Sequence, residues 1–425
     1  MRAVKTSTLS VLAIALGVVL LVTAALWLGH DGGGTGRTVI RLRIWDASFV
    51  PVYRAALDEF QRAEPDVEVR ITVVPWGSYQ QKLRLDVAGG TADDLFWTNL
   101  YTDYADAGRL ADIGAMLSPE AVRQWDPGAV EQYTRNGKLW AVPQFVDGGT
   151  AVYYNRDLLA AAGIDPAELA GATWDPRGPD SLVPLLRRIA AAGPWAYNAA
   201  NDFQSLSLPY LGSAGGRFQD GDRYVFDSPQ GVDAFGYLVG LVRAGLTPPA
   251  ADTRSGSDFA KNAFLQGKLA LFQSGSFTLA QIAQQARFRW GIAMIPAGPA
   301  GRVSTDNAIG IAADAHTAHP DAVRRVLAWL GSPAGNRYLA AGGQTIPAVV
   351  ADQQLYRDYW ANQGIDVSPF FDVLRGPRIA SGGGPGLAAA LRAIDPVFDE
   401  MFLGRIPVPE ALRRAQSAAQ ATAQR

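Results

Sequence analysis

The sequence predicts a mixed α/β chain of more than one domain, carried outside a membrane, and three observations lead there. Strand-like and helix-like apolar patterns follow one another along its length. Its 425 residues exceed one ordinary domain and suit two or three of roughly 100–200 residues each. A long apolar run opens the chain.

That run, Leu9 to Leu28, is broken only by Ser10, Gly17 and Thr23 and follows Arg2 and Lys5. As a helix of about 20 residues it would span about 30 Å, the thickness of a bilayer's hydrocarbon core. Positive charge before it and none until Arg37 after it place the N-terminus in the cytoplasm and the rest of the chain outside. Small residues at Thr23 and Ala25, or Val22 and Ala24, leave peptidase cleavage open, so the run is a signal or a membrane-spanning anchor. HDGGGTG (30–36) reads as a flexible spacer, with the folded part beginning near Thr38.

From there Val39–Trp45 alternates as a short strand, and Val52, Ala56, Phe60 and Ala63 recur at helical spacing behind Pro51. Val67–Val74 is β-rich; Ser78 and Gln81 have the spacing of a capping box for a helix that Gly89–Gly90 should stop. Leu95–Trp97 is a third short apolar piece. Ser228–Pro229 caps a helix through Val232, Phe235, Val239 and Val242 to Gly245, and His319–Pro320 begins another through Val323 to Gly331. Trp45–Asp46, Pro75–Trp76 and Trp97–Asn99 all fall at predicted strand ends. In open α/β sheets, ligands sit beyond such ends.

Composition narrows the chemistry. A net charge of −2 with 18% charged residues gives no electrostatic reason to expect nucleic acid or an anionic membrane surface as partner. With no cysteine, disulfides, thiol catalysis, zinc–thiolate sites and thiol lipidation are excluded. The three histidines, His30, His316 and His319, lie in a spacer and a turn. No nucleophile elbow, zinc-protease helix or phosphate loop is present, and no cofactor or metal is expected. The stretch FWTNLYTDYAD (96–106) sets aromatic faces beside amides and carboxylates, which suits a neutral, hydroxyl-rich ligand. The same residue types would line a glycosidase cleft, whose carboxylates come from distant parts of a chain and leave no local signature. The residues leave both readings open.

Several segments together resemble one family in the same order. They are GGTADDLFW (89–97), ADAGRLADI (105–113), GKLWAVPQFVDGGTAVYYNRDLLAAAGID (137–165) with TWD (173–175), FLQGKLALFQSGSF (264–277), WGIAMIPAGPAG (290–301) and PDAVRRVLAWLGSPAGNRYLAAGGQTIPA (320–348). The chain from about Arg41 to Ala415 resembles the family 1 extracellular solute-binding proteins of sugar ABC transporters, the maltose-binding-protein-like group. The resemblance implies a two-lobed periplasmic-binding-protein-like fold of type II, each lobe a mixed sheet flanked by helices. Residues 38–146 with 305–348 would form lobe 1, and 147–304 with 349–425 lobe 2. Crossings are expected near Val142–Gly148, Ser304–Gly310 and Thr345–Val350. The implied role is capture of a carbohydrate or related polyol by hinge closure for an ABC permease, by a monomer and without catalysis. Gram-positive and actinobacterial members of that family usually carry a cysteine just after the signal for lipid attachment; its absence here favours retention of Leu9–Leu28 as the anchor. A membrane-anchored glycoside hydrolase and a binder of glycerophosphodiesters are the alternatives.

Carried over by position, the resemblance puts Trp45 and Asp46 on the ligand, with Trp97 and Asn99 from the FWTN segment. Asp94 matches a near-universal aspartate, either on the ligand or structural. Trp76 belongs either to core or to cleft. Gln144 and Asp147 follow the first hinge. In the second lobe the Asn201–Gln204 loop supplies Phe203 as a stacking ring and Gln204 beside it. Gly275, Ser276 and Phe277 form the next contact, with Phe277 where maltose-type relatives have tryptophan. Asp306 and Asn307 fall in the return hinge, and Arg378 is expected to fork onto adjacent hydroxyls.

Overall fold

A computed structural model describes residues 36–146, 149–198, 202–253, 258–384 and 386–423. The apolar run Leu9–Leu28 and the positions Asp147 and Asn201 lie outside the described residues. Among those described, no helix is long and apolar enough to cross a membrane.

Two sheets organise the chain. The first has five strands in the spatial order Val67–Val73, Thr38–Ile44, Leu95–Thr98, Ala308–Ala313, Val142–Val146. Its first three strands are parallel, and Ala308–Ala313 runs antiparallel to both its neighbours. The second has four, in the order Trp290–Met294, Thr150–Asn155, Leu269–Gly275, Trp195–Tyr197. Thr150–Asn155 is antiparallel to the strands on either side, while Trp195–Tyr197 is parallel to Leu269–Gly275. Each sheet has its own buried cluster. Ile40, Leu42, Phe60, Trp97, Phe145 and Leu327 belong to the first, whereas the two faces of the second sheet are covered separately, Val152 and Tyr154 facing one cluster and Ala151 and Tyr153 the other. That alternation is the period-two pleat of a strand buried on both sides.

The chain leaves the first sheet after Val146 and enters the second at Thr150. It returns from the short strand Ser304–Asp306 to Ala308–Ala313, the former paired in parallel with Arg378–Ala380. Gly149 sits at the outward crossing, where a Cβ would lie 2.7 Å from the Phe370 carbonyl oxygen, so any side chain would force the crossing apart.

Most local expectations are met. The helix Val50–Ala63 carries proline in its first turn and buries Tyr53, Ala56, Leu57 and Phe60. Helix Pro229–Arg243 is capped by the Ser228 side chain, which accepts from the Gly231 N–H. Gly90 ends the helix Trp76–Gly89 in the left-handed region, at φ 70°. The capping box expected at Ser78 is not formed. That helix begins two residues earlier, at Trp76, and the Ser78 hydroxyl donates to the Pro75 carbonyl instead.

Candidate functional site

The cleft lies between the two sheets, beyond strand ends, as an α/β architecture disposes it. Its cavity of about 360 Å³ takes Trp45, Asp46, Trp76 and Asn99 from the first sheet's side. From the other side come Asp202, Gln204 and Ser205, Asp258 and Lys261, and Ser274, Phe277, Thr278 and Gln281. Asn307, on the return crossing, closes the floor with Ile309.

On the first wall the rings form a stack of supports. Trp45 meets Trp76 edge to face at 5.2 Å between centroids, Tyr79 at 5.1 Å and Trp97 at 4.9 Å. Trp76 is 50% exposed. Across the cleft Phe277, 45% exposed, follows directly on the strand Leu269–Gly275. Large rings left open to solvent on facing walls mark a binding groove.

Polar groups fill the space between. Asn99 Nδ2 donates to Asn307 Oδ1 at 3.4 Å, tying the end of the central strand Leu95–Thr98 to the crossing, and Asn99 Oδ1 is buried with no protein partner among the described residues. Asp202 caps the turn Phe203–Ser207 by accepting the Ser205 N–H at 2.9 Å. Desolvation pushes the Asp202 carboxyl up, and its hydrogen bonds within the turn oppose that. The turn is held from below by Gln273, whose side-chain amide donates to the Ser205 carbonyl at 2.6 Å. Gln273 is itself fixed by Tyr197 and by a reciprocal pair of bonds with Asn198. Lys261 Nζ sits 2.7 Å from Asp258 Oδ1, a pair one helical turn apart. The described lining thus carries three carboxylates, Asp46, Asp202 and Asp258, against one ammonium. Among the described residues no group of three or more histidines, cysteines and carboxylates could hold a metal.

Residues 46–337 match the family model described as bacterial extracellular solute-binding protein. The chain belongs to that family. It is similar to the M. tuberculosis protein UspC, whose crystal structure superposes at a TM-score of 0.76 with 49% identity, over 91% of this chain and 100% of that one. It is 25% identical over 297 residues to the maltodextrin-binding protein MdxE of Bacillus subtilis, covering 68% of each chain. It is 28% identical over 158 residues to the lactose-binding protein of Rhizobium radiobacter, 36% of this chain and 37% of that one. The fold is therefore the two-lobed periplasmic-binding-protein-like one, each sheet the centre of a lobe, and the protein works outside the cytoplasm.

In this solute-binding protein, Trp45, Asp46, Trp76, Asn99, Gln204, Phe277 and Asn307 come together on the cleft. Gly275 lines a small recess beside them with Thr150 and Thr305. Asp306 lies on the crossing strand, with its side chain outside those described, and Asp147 is also outside the described residues.

Six other expected contacts are elsewhere, each for a local reason. Trp97 is completely buried behind Trp45, its indole N–H donating to the Tyr53 hydroxyl at 3.0 Å. That hydroxyl donates on to Gln144 Oε1 at 3.1 Å, so Gln144, also fully buried, belongs to an interior hydrogen-bond chain and does not line the cleft. Asp94 stands at the opposite end of its strand from the cleft. Its two carboxylate oxygens accept the Arg41 N–H at 2.9 Å and the Thr317 hydroxyl at 2.7 Å, a structural role. Phe203 turns inward, edge to face with Phe218 at 4.9 Å. Ser276 is fully buried under its own turn. Arg378 donates through Nε and Nη2 to the Leu374 carbonyl and lies 3.8 Å from Asp126, so it ties chain segments together away from the cleft. Lys261, Asp258 and Gln281 escaped the sequence reading because single polar residues on short helices carry no pattern.

Proposed function

We propose that this solute-binding protein captures a neutral carbohydrate between its lobes and delivers it to an ABC permease. The observation that carries the reading is the pairing of Trp45 and Trp76 on one wall with Phe277 on the other, around amides and carboxylates. Sugar rings offer C–H faces to aromatics and hydroxyls to side chains that accept and donate. The maltodextrin and lactose specificities of two relatives agree with it. Three carboxylates against one lysine disfavour a phosphodiester, which would want cationic partners.

In this reading, residues 38–146 with 305–348 close on 147–304 with 349–425 about the crossings. Closure is favoured by the ligand's greater affinity for the closed state, with no covalent step. The protein acts as a monomer, held by Leu9–Leu28 as an anchor or released after cleavage there. A thermal-shift screen of the purified protein against neutral mono- and disaccharides, amino sugars and glycerophosphodiesters tests it, with the sugars analysed afterwards for cleavage. A concentration-dependent rise in melting temperature with intact sugar is expected. Cleaved sugar would establish a hydrolase, and a shift with phosphodiesters alone would replace the ligand class.

A further inference from the structure

A second groove of about 610 Å³, larger than the cleft itself, opens from the cleft's mouth, and Asp46, Phe277 and Gln281 line both. Its wall carries amides from three separate elements. Gln281, Gln284 and Gln285 lie on one face of the helix Leu279–Gln285, at the spacing that brings side chains into a row. Gln344 comes from the turn at Gly342–Gln344, and Gln363 from just past the helix Gln353–Ala361. That turn packs so close to the aromatic side of the groove that a Cβ on Gly343 would stand 2.2 Å from the Tyr359 ring. Gln344 Nε2 donates to Ser48 Oγ at 3.0 Å on the first sheet's side, and the helix Leu279–Gln285 faces them from the second. Trp360, also in the wall, is 2% exposed, and its indole N–H has no protein partner among the described residues.

We propose that this groove holds the further units of a chain-like, neutral oligosaccharide whose first units occupy the cleft. The inference rests on the carbohydrate reading above and extends it to ligand length. Glutamine amides donate and accept without charge, which matches successive hydroxyls and gives no purchase to an anionic chain. Among the described residues, Asp46 is the only carboxylate or ammonium lining the groove, and it lies at the junction with the cleft. A row of glutamines on one helix alone would be an ordinary solvated face. Amides converging from three elements onto one cavity continuous with the ligand cleft are a built surface.

The test is isothermal titration of the full-length protein with α-1,4- and β-1,4-linked gluco-oligosaccharides, from disaccharide to hexasaccharide. The comparison is between wild type and the pair Gln284→Leu with Gln363→Leu. Both glutamines are exposed and line the groove but not the cleft. Affinity should climb with length in the wild type. The paired change should cut hexasaccharide affinity about tenfold, the loss expected for two hydrogen bonds, and leave the disaccharide unchanged. Gln284→Ala alone should show the same selectivity with a smaller factor, and melting temperature should stay constant in both variants. Affinity independent of length, or equal losses for short and long sugars at unchanged melting temperature, would overturn the groove while leaving the cleft. Failure of the wild type to bind any of these sugars would overturn the groove's proposal, and the same failure with every sugar of the thermal-shift screen would overturn the carbohydrate reading as well.

Discussion

Trp45 on the first wall of the cleft rests on Tyr79 and Trp97, and Trp97 in turn on Phe49, Tyr53 and Phe145, whereas Phe277 on the opposite wall projects among Gln204, Thr278 and Gln281. One wall is a face of packed rings whose outermost members line the cleft. The other is a single ring among flexible amides and a lysine–aspartate pair. A pre-packed ring loses little freedom when a sugar lands on it, while amides on flexible stems must be ordered at each binding event. The difference suggests a division of labour, in which the first wall supplies affinity through fixed stacking and the second adapts its hydrogen bonds to the sugar presented.

The largest effect should come from behind the first wall. Trp97→Ala is expected to cost about 3–5 kcal/mol of stability, the range for emptying a buried aromatic site. Urea unfolding reads it, and a loss below about 1 kcal/mol would mean the support is not packed as described. Next, Trp45→Ala should weaken sugar binding by about 2 kcal/mol or more at nearly constant stability, as for an anchor ring at the centre of an interface. Phe277→Ala should weaken it less, by about 1 kcal/mol, because one partly exposed ring adds less than a supported pair. Equal losses at Trp45 and Phe277 would erase the contrast between the walls.

The smallest effect concerns pH. Burial raises the Asp202 carboxyl above its unfolded value, so the folded state holds that proton more tightly. Its contribution to stability is present at low pH and is lost as pH rises from the unfolded value through the folded one. Asp202→Asn keeps an acceptor for the Ser205 N–H and removes the titration. Melting temperature followed across the acid range should decline less with rising pH in the variant than in the wild type. An unchanged slope would show that Asp202 is not desolvated in its turn.

Why Trp97 lies behind the cleft while Trp45 lines it, although both stand at strand ends, is clear from the strand itself. Leu95–Thr98 is buried at all four positions, so no alternation tells a reader which face of Trp97 meets solvent. Helices with one wet face, such as Val50–Ala63 and Pro320–Leu330, were legible from spacing alone, and Ser228–Pro229 announced its helix through cap chemistry. Ser78 misled because Pro75, whose ring needs no N–H partner at a helix start, let the helix begin earlier. Asn99 was marked by its strand end, whereas Asn307 and Phe277 were reached through the family resemblance, since an amide and a ring from distant segments share no local signal. Arg378 shows the limit of that route: its position carried over, but its Nε and Nη2 donate to the Leu374 carbonyl and it does not line the cleft.

The roles of the two tryptophans are the point on which the site stands, and one side-by-side titration decides them. The sugar giving the largest thermal shift would be titrated calorimetrically into wild type, Trp45→Ala and Trp97→Phe, with the melting temperature of each free protein recorded. Trp45→Ala should lose affinity at nearly constant melting temperature, and Trp97→Phe should lose melting temperature while keeping affinity. The reverse pattern would place Trp97 on the ligand and contradict the cleft described here.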